Sequence, residues 1–314
     1  MVYEKNQCTE YLTEMSEDIQ KMVIVISNWG SYSLNWLQHG VCSGGCDPST
    51  TLSVFNNIKI NTRPIPEPEP IPFVPVPETF PTLSINIDGL ERTLYVLHPI
   101  WSEGVDTSDY SLNFGFNNRM YLGTVNEVVP SKYFKINMLG AILTYDVNLS
   151  KVGCGCVSSL YLARMPREVN VYDPFRYCDA NKNEGYYCPE FDIMQANKYS
   201  FRATGHRCVK PVNDTYSMCD REGQCHIDAV ESKTRQVFGP EKSIDTTRTF
   251  TVVTHFIETD GKFAGYSTVL SQGGRTVVLE RTDCGDYLQD MTEDLTQMVF
   301  VLSNWGSSDD LSWL

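Results

Sequence analysis

No run of about 18 apolar residues occurs anywhere in the 314-residue chain, so the sequence offers no transmembrane helix. The first residues, MVYEKNQC, also lack the apolar core of a secretory signal. Basic residues are in deficit: 25 Lys and Arg stand against 39 Asp and Glu, which leaves a formal net charge of −14 and an isoelectric point near 4.8. Phosphate backbones are held by Lys/Arg-rich faces, so this balance argues against nucleic acid as a partner and leaves neutral partners, carbohydrate among them, open. Helical periodicity is nearly absent. Only YLQDMTEDLTQM (287–298) and its twin YLTEMSEDIQKM (11–22) space Leu and Met as a helix requires.

What the chain does have is alternation. LSINID, ERTLYVLH, RMYLGTV, KYFKINML, AILTYDVNL, SSLYLARM, TFTVVTHFIET, GYSTVLS and RTVVLERT alternate apolar and polar residues, or run short and apolar, between Gly, Asn and Asp turns. Many strands with one short helix predict an all-β fold of two antiparallel sheets packed face to face. With 41% hydrophobic residues, the chain has enough apolar surface to fill such a core.

Residues 1–31 align without a gap to residues 277–307 at an offset of 276. Cys8, Tyr11, Leu12, Met15, Glu17, Asp18, Met22, Asn28 and Trp29 recur as Cys284, Tyr287, Leu288, Met291, Glu293, Asp294, Met298, Asn304 and Trp305. A fold has one slot for a given helix-then-strand unit, so two copies imply two modules in series. The expectation is that residues 1–60 are the C-terminal part of a preceding module and 82–314 a second module lacking its last ~25 residues, by the tandem argument. On this reading residues 38–60 stand for the stretch expected beyond Leu314, and the intact polypeptide extends in both directions. Between the modules, residues 61–81 place proline at 64, 66, 68, 70, 72, 75, 77 and 81. Such a segment forms a semi-rigid polyproline II spacer reaching roughly 60 Å at about 3.1 Å per residue.

Eleven cysteines suit an oxidising, extracellular compartment, and removing Cys8, the counterpart of Cys284, leaves an even set of ten per period. Proximity pairs Cys178 with Cys188 and Cys208 with Cys219. Cys42, Cys46, Cys154 and Cys156 form two close pairs of thiols, for which zinc is a rival reading, although Cys-X-Cys spacing is unusual for zinc. The chain as a whole is read as metal-free and cofactor-free. The sequons Asn148-Leu-Ser and Asn213-Asp-Thr are candidate glycosylation sites in the same compartment.

The segment Glu190-Phe191-Asp192-Ile193-Met194-Gln195-Ala196-Asn197 resembles the catalytic strand of family 7 glycoside hydrolases, the cellobiohydrolases and endoglucanases, which reads Glu-X-Asp-X-X-Glu and is typically followed by Ala-Asn. The resemblance extends to residues 141–165, to Tyr177-Cys178-Asp179-Ala180, to Gly205-His206-Arg207-Cys208, to 238–256, to 298–314 and to the closing strand at 52–60. It implies a concanavalin-like jelly-roll sandwich. It places the nucleophile at Glu190, its helper at Asp192 and the acid/base at position 195, where this chain has glutamine. It also implies sugar contacts at Trp305, Trp313, Tyr177, Asp179 and His206. Two further disulfides are implied by the same alignment, Cys225–Cys284 and a bridge from Cys154 to an equivalent of Cys42, with Cys156 and the equivalent of Cys46 completing the set. The family's polar contacts are replaced at Val157 and Asp214.

A retaining glycosidase needs one carboxylate to attack the anomeric carbon and one carboxylic acid to protonate the departing oxygen. Glutamine hydrogen-bonds sugars but has no proton to give to a poor leaving group. Simple alternation also sets residue 195 on the face opposite Glu190 and Asp192, so a bulge would be needed to bring it round. The functional expectation is therefore a catalytically inactive module of a secreted tandem-repeat protein, a structural part of an extracellular fibre, appendage or sheath. Its expected partners are further copies of itself, with neither nucleic acid nor membrane. The first alternative is a non-hydrolytic protein that binds β-glucan or cellulose, and the second an active retaining endo-β-1,4-glucanase with an atypical acid.

Overall fold

The computed structural model describes residues 79–99, 102, 104–165, 173–212, 215–229 and 237–306. The first copy of the repeat, Cys42, Cys46, Asn213, Asp214, Trp313 and nearly all of the proline-rich stretch lie outside the described residues.

In chain order the strands are β1 (Thr82–Ile87), β2 (Leu90–Leu97), β3 (Asp106–Ser108), β4 (Ser111–Asn113), β5 (Asn118–Gly123), β6 (Lys135–Ile136), β7 (Ile142–Val147) and β8 (Cys156–Ala163). They continue with β9 (Glu190–Ala196), β10 (Phe201–His206), β11 (Cys225–Asp228), β12 (Phe250–Thr259), β13 (Lys262–Gln272), β14 (Arg275–Arg281) and β15 (Met298–Gly306). The large sheet runs β1-β2-β5-β15-β8-β9-β10-β11, with β6 added to β15, and the small sheet runs β14-β13-β12-β7. Every pairing between named strands is antiparallel. Non-sequential neighbours such as β5, β15 and β8 mean that the chain crosses between sheets, as a jelly-roll sandwich requires.

Local chemistry explains the tightest connections. Asp88-Gly89 and Asp260-Gly261 both sit at positive φ, 52° and 81° in the first pair and 52° and 73° in the second. These are the two-residue hairpin turns whose twist matches that of the flanking strands, and they set the registers Ile87↔Leu90 and Thr259↔Lys262.

The core lies between the two sheets. Phe191 of β9 packs its ring 4.9 Å from Phe256 of β12 and 4.9 Å from Tyr266 of β13, centroid to centroid, and all three side chains are fully buried. The Tyr266 hydroxyl is bonded to the carbonyls of Ala203 and Cys225, so burying this phenol leaves no polar atom stranded.

The helical expectation over 287–298 holds only in part. α1 covers Gly285–Gln289, and a 3-10 turn follows at Asp294–Gln297. Thr292 Oγ1 donates to the Gln289 carbonyl and Thr296 Oγ1 to that of Glu293, which competes with continued helix. The apolar spacing is still honoured, because Leu288, Met291 and Leu295 are all fully buried. KYFKINML likewise forms strand only at Lys135–Ile136, paired with Val299 and Met298.

Candidate active-site face

The side of the large sheet turned away from the small sheet carries the candidate chemistry. Phe191 points into the core, so its strand neighbours Glu190 and Asp192 point the other way. Between Asp192 and Gln195 the register shifts: Asp192 pairs with Tyr161 and Met194 with Leu160, while on the other side Asp192 pairs with Thr204 and Gln195 with Arg202. β9 thus carries one extra residue at Ile193/Met194, a β-bulge that reverses its side-chain parity. Gln195 pairs with Ser159 and Asp192 with Tyr161, two residues apart on β8. Glu190, Asp192 and Gln195 consequently share one face, and the bulge that plain alternation lacked is present.

The neighbours on that face are set by the same pairing. One row across the sheet reads Tyr121, Val301, Tyr161, Asp192 and Thr204, and the next reads Arg119, Ser303, Ser159, Gln195 and Arg202. At the Glu190 end the face is covered by a second apolar cluster in which Leu97, Tyr121, Tyr161 and Val301 from strands meet Phe175, Tyr177 and the Cys178–Cys188 disulfide from the preceding loop. Glu190 is 5% exposed and Asp192 is fully buried, whereas Gln195 is half-buried and its side-chain amide makes no hydrogen bond to a described residue.

His206 holds the set together. Its Nε2 lies 2.9 Å from Asp192 Oδ2, and its Nδ1 lies 2.9 Å from the Asp220 carbonyl. A carbonyl only accepts, so Nδ1 carries a hydrogen, and both ring nitrogens are committed. Burial pulls the imidazole down, but the hydrogen bond and charge of Asp192, the charge of Glu190 and the Asp220 carbonyl push it up to about 9. At neutral pH this is an imidazolium–carboxylate pair. Glu190 is driven well above the usual carboxylate range, first by burial and then by the charges of Asp192 and Asp179; His206 and the Ala180 N–H, which donates to Glu190 Oε2 at 3.0 Å, offset part of that.

Asp179 is 2% exposed and accepts from the backbone of Asn181 and Asn183 and from the Asn183 amide, so its oxygens organise the loop over Glu190. Tyr177, 2% exposed, exchanges a 2.8 Å hydrogen bond with Tyr161 and lies under the Arg119 guanidinium, 3.7 Å from the ring centroid. Trp305 is half-buried on the same face, its Nε1 donating to Ser159 Oγ at 3.2 Å. Arg119, Tyr121, Tyr161 and Ser159 join the site without any motif to mark them. Alternation in NRMYLG puts Arg119 and Tyr121 on one face, but which strand lies beside β5 is a long-range fact.

Cys178–Cys188, Cys208–Cys219 and Cys225–Cys284 are disulfides, and Cys154 and Cys156 are free thiols among the described residues. No cluster of three or more metal-ligating side chains and no helix long and apolar enough to cross a membrane occurs among them. Asn148 is exposed, and its Oδ1 accepts from the Ser150 backbone at 3.0 Å.

The module is an antiparallel two-sheet sandwich with Glu190, Asp192 and Gln195 on the outer face of its large sheet. Residues 170–299 match the model of glycosyl hydrolase family 7, and the sequence relatives and the fold neighbours support a family 7 module. Endoglucanase EG-1 of Hypocrea jecorina is 28% identical over 193 residues, covering 52% of this chain and 40% of the relative. Endoglucanase EG-1 of Trichoderma longibrachiatum is 30% identical over 155 residues, or 43% of this chain and 32% of that one. The chain therefore spans two-fifths or less of these relatives. Among solved structures, endoglucanase I complexed with cellobiose superposes with a TM-score of 0.62 at 20% identity, covering 76% of this chain and 88% of the other. A family 7 cellobiohydrolase from Daphnia pulex gives 0.57 at 18% identity, covering 73% and 83%. Both are likenesses of fold.

Proposed function

We propose that this is a catalytically silent family 7 module of a secreted tandem-repeat protein, serving as a structural component of an extracellular fibre, appendage or sheath. The observation that carries the reading is Gln195. The bulge aims this amide to the same face as Glu190 and Asp192, where a retaining enzyme needs a carboxylic acid, and an amide has no proton to deliver. One further observation supports it: both ring nitrogens of His206, a candidate to substitute as donor, are engaged by Asp192 and the Asp220 carbonyl.

The test restores the acid. A general acid contributes about 10²–10⁴ in rate, so Gln195→Glu should raise hydrolysis of a soluble β-1,4-glucan by that factor over the native chain. Native protein that already hydrolyses the glucan as fast as the variant would overturn the reading.

A second reading, non-hydrolytic β-glucan binding, is favoured by Trp305, whose half-buried indole sits beside Ser159 on the face that carries Gln195. Loss of glucan pull-down in Trp305→Ala would support it, and equal retention would remove it.

A further inference from the structure

One of the two partners that orient His206 is a main-chain atom of a loop, the Asp220 carbonyl, 2.9 Å from Nδ1. Loops are the mobile part of a fold, so that carbonyl must be held still if the imidazole is to be. Residues 220–224 hang between two disulfides. Cys219 is bonded to Cys208, two residues beyond His206, and Cys225 to Cys284, directly before α1. The disulfides fix where the turn begins and ends, but not which way its first carbonyl points.

The Asp220 side chain sets that direction. Its Oδ1 accepts from the N–H groups of Glu222 at 3.1 Å and Gly223 at 3.2 Å, and its Oδ2 from the Gln224 N–H at 3.2 Å and the Tyr287 hydroxyl at 2.8 Å. The Asp220 N–H donates to the Arg207 carbonyl at 2.8 Å, so every polar atom of the residue is engaged. Burial works against the charge of Asp220, but the Tyr287 hydroxyl and the N–H groups of Gly223, Gln224 and Glu222 outweigh it and hold the carboxyl below its usual range. Gly223 completes the fit. It is buried at φ 72°, and a Cβ there would lie 2.4 Å from Thr204 Oγ1 and 3.2 Å from His206 Cε1, so glycine lets the turn close onto the imidazole. Tyr287 is anchored from α1, 8% exposed, with the Arg207 guanidinium 4.7 Å from its ring centroid.

We propose that Asp220 is a positioning residue of the candidate site: its carboxylate ties off the 220–224 turn so that its own carbonyl stays on His206 Nδ1, and His206 Nε2 thereby stays on Asp192. Asp220 acts on Asp192 and Glu190 through the imidazole, as a second layer of support for an orienting group. The charges that face the imidazole are those of Asp192 and Glu190 on β9, while the guanidinium of the next residue, Arg207, is turned to Asp290 Oδ2 at 2.9 Å. The role is independent of Gln195, since the same turn holds His206 in a silent or a hydrolytic module.

The test is imidazole NMR of the full 314-residue chain with isotope-labelled histidine, the His206 signals being assigned by their absence from His206→Gln. In the native chain the His206 Nδ1–H should appear at pH 7 as a slowly exchanging proton, and the ring should titrate at about 9. Asp220→Ala should lose that proton signal and lower the His206 pKa by about one pH unit, because a hydrogen bond to the charged form favours it. Asp220→Asn keeps an acceptor for Glu222 and Gly223 but none for the Gln224 N–H, and should fall part-way. His98 and His255 lie elsewhere in the fold and should titrate alike in native and variant chains. If the alanine variant does not fold, the asparagine variant decides alone. A His206 signal and titration unchanged from native in the folded variant would overturn the proposal. So would an equal shift of all three histidines, which marks general loosening, or a native Nδ1–H that exchanges freely.

Discussion

Replacing His206 with glutamine tests the electrostatic core of the candidate site. The imidazole is 5% exposed and is pushed from its ordinary 6.5 to about 9, chiefly against burial by its bond to Asp192. A shift of about 2.5 pH units at 1.36 kcal/mol each corresponds to roughly 3 kcal/mol of folding free energy. The folded-state value lies above the unfolded one, so the folded protein holds the proton more tightly. This contribution is therefore fully present below about pH 6.5, falls by up to about 1.4 kcal/mol per pH unit, and is gone above about pH 9. His206→Gln keeps an amide near Asp192 but removes the charge, leaving a buried carboxylate without its cation. Urea unfolding of both proteins with disulfides intact, from pH 5.5 to 10, should show the variant about 3 kcal/mol less stable at pH 6 and nearly equal at pH 9.5. A deficit of the same size at both ends would refute the reasoning, because it would mean that His206 is neutral and acts by packing alone.

Asp294 and Phe191 supply two further tests. Asp294, largely desolvated, is raised to about 6, so stability it supplies at low pH is lost as pH rises from its ordinary 3.8 through about 6. Asp294→Asn keeps an acceptor for the Tyr216 hydroxyl and should stabilise the protein by about 1–3 kcal/mol at pH 7 while flattening its pH profile between 4 and 6, read by thermal melts across that range. Phe191→Ala empties the meeting point of Phe256, Phe263 and Tyr266 and should cost about 3–5 kcal/mol in urea unfolding, with no pH dependence.

The sandwich is legible where each strand has one wet face. The segments that form β1, β2, β7, β12, β13 and β14 alternate visibly, and their DG and GG turns mark the ends. β9 and β10 are not legible this way. EFDIMQA is buried almost throughout, so its periodicity carries no signal, and only the resemblance of its residues to a known motif draws attention to it. The bulge at Ile193/Met194 is legible only as a requirement, because its cause lies in pairing with β8 and β10. The resemblance implies sugar contacts at Tyr177 and Asp179; in the structure the Tyr177 hydroxyl also bonds Tyr161 across the sheet, a partner no local pattern marks, while Asp179 also accepts from the adjacent Asn181–Asn183 turn.

The pucker in β9 has an evolutionary corollary. The backbone device that orients residue 195 persists although the residue it orients carries no acid. Glutamine and glutamate codons differ by one base, so a single nucleotide change would deliver a carboxyl group into an already aimed position, without rebuilding the strand. On the proposed reading, that one base change restores the general acid, with the gain of about 10²–10⁴ in rate expected for Gln195→Glu.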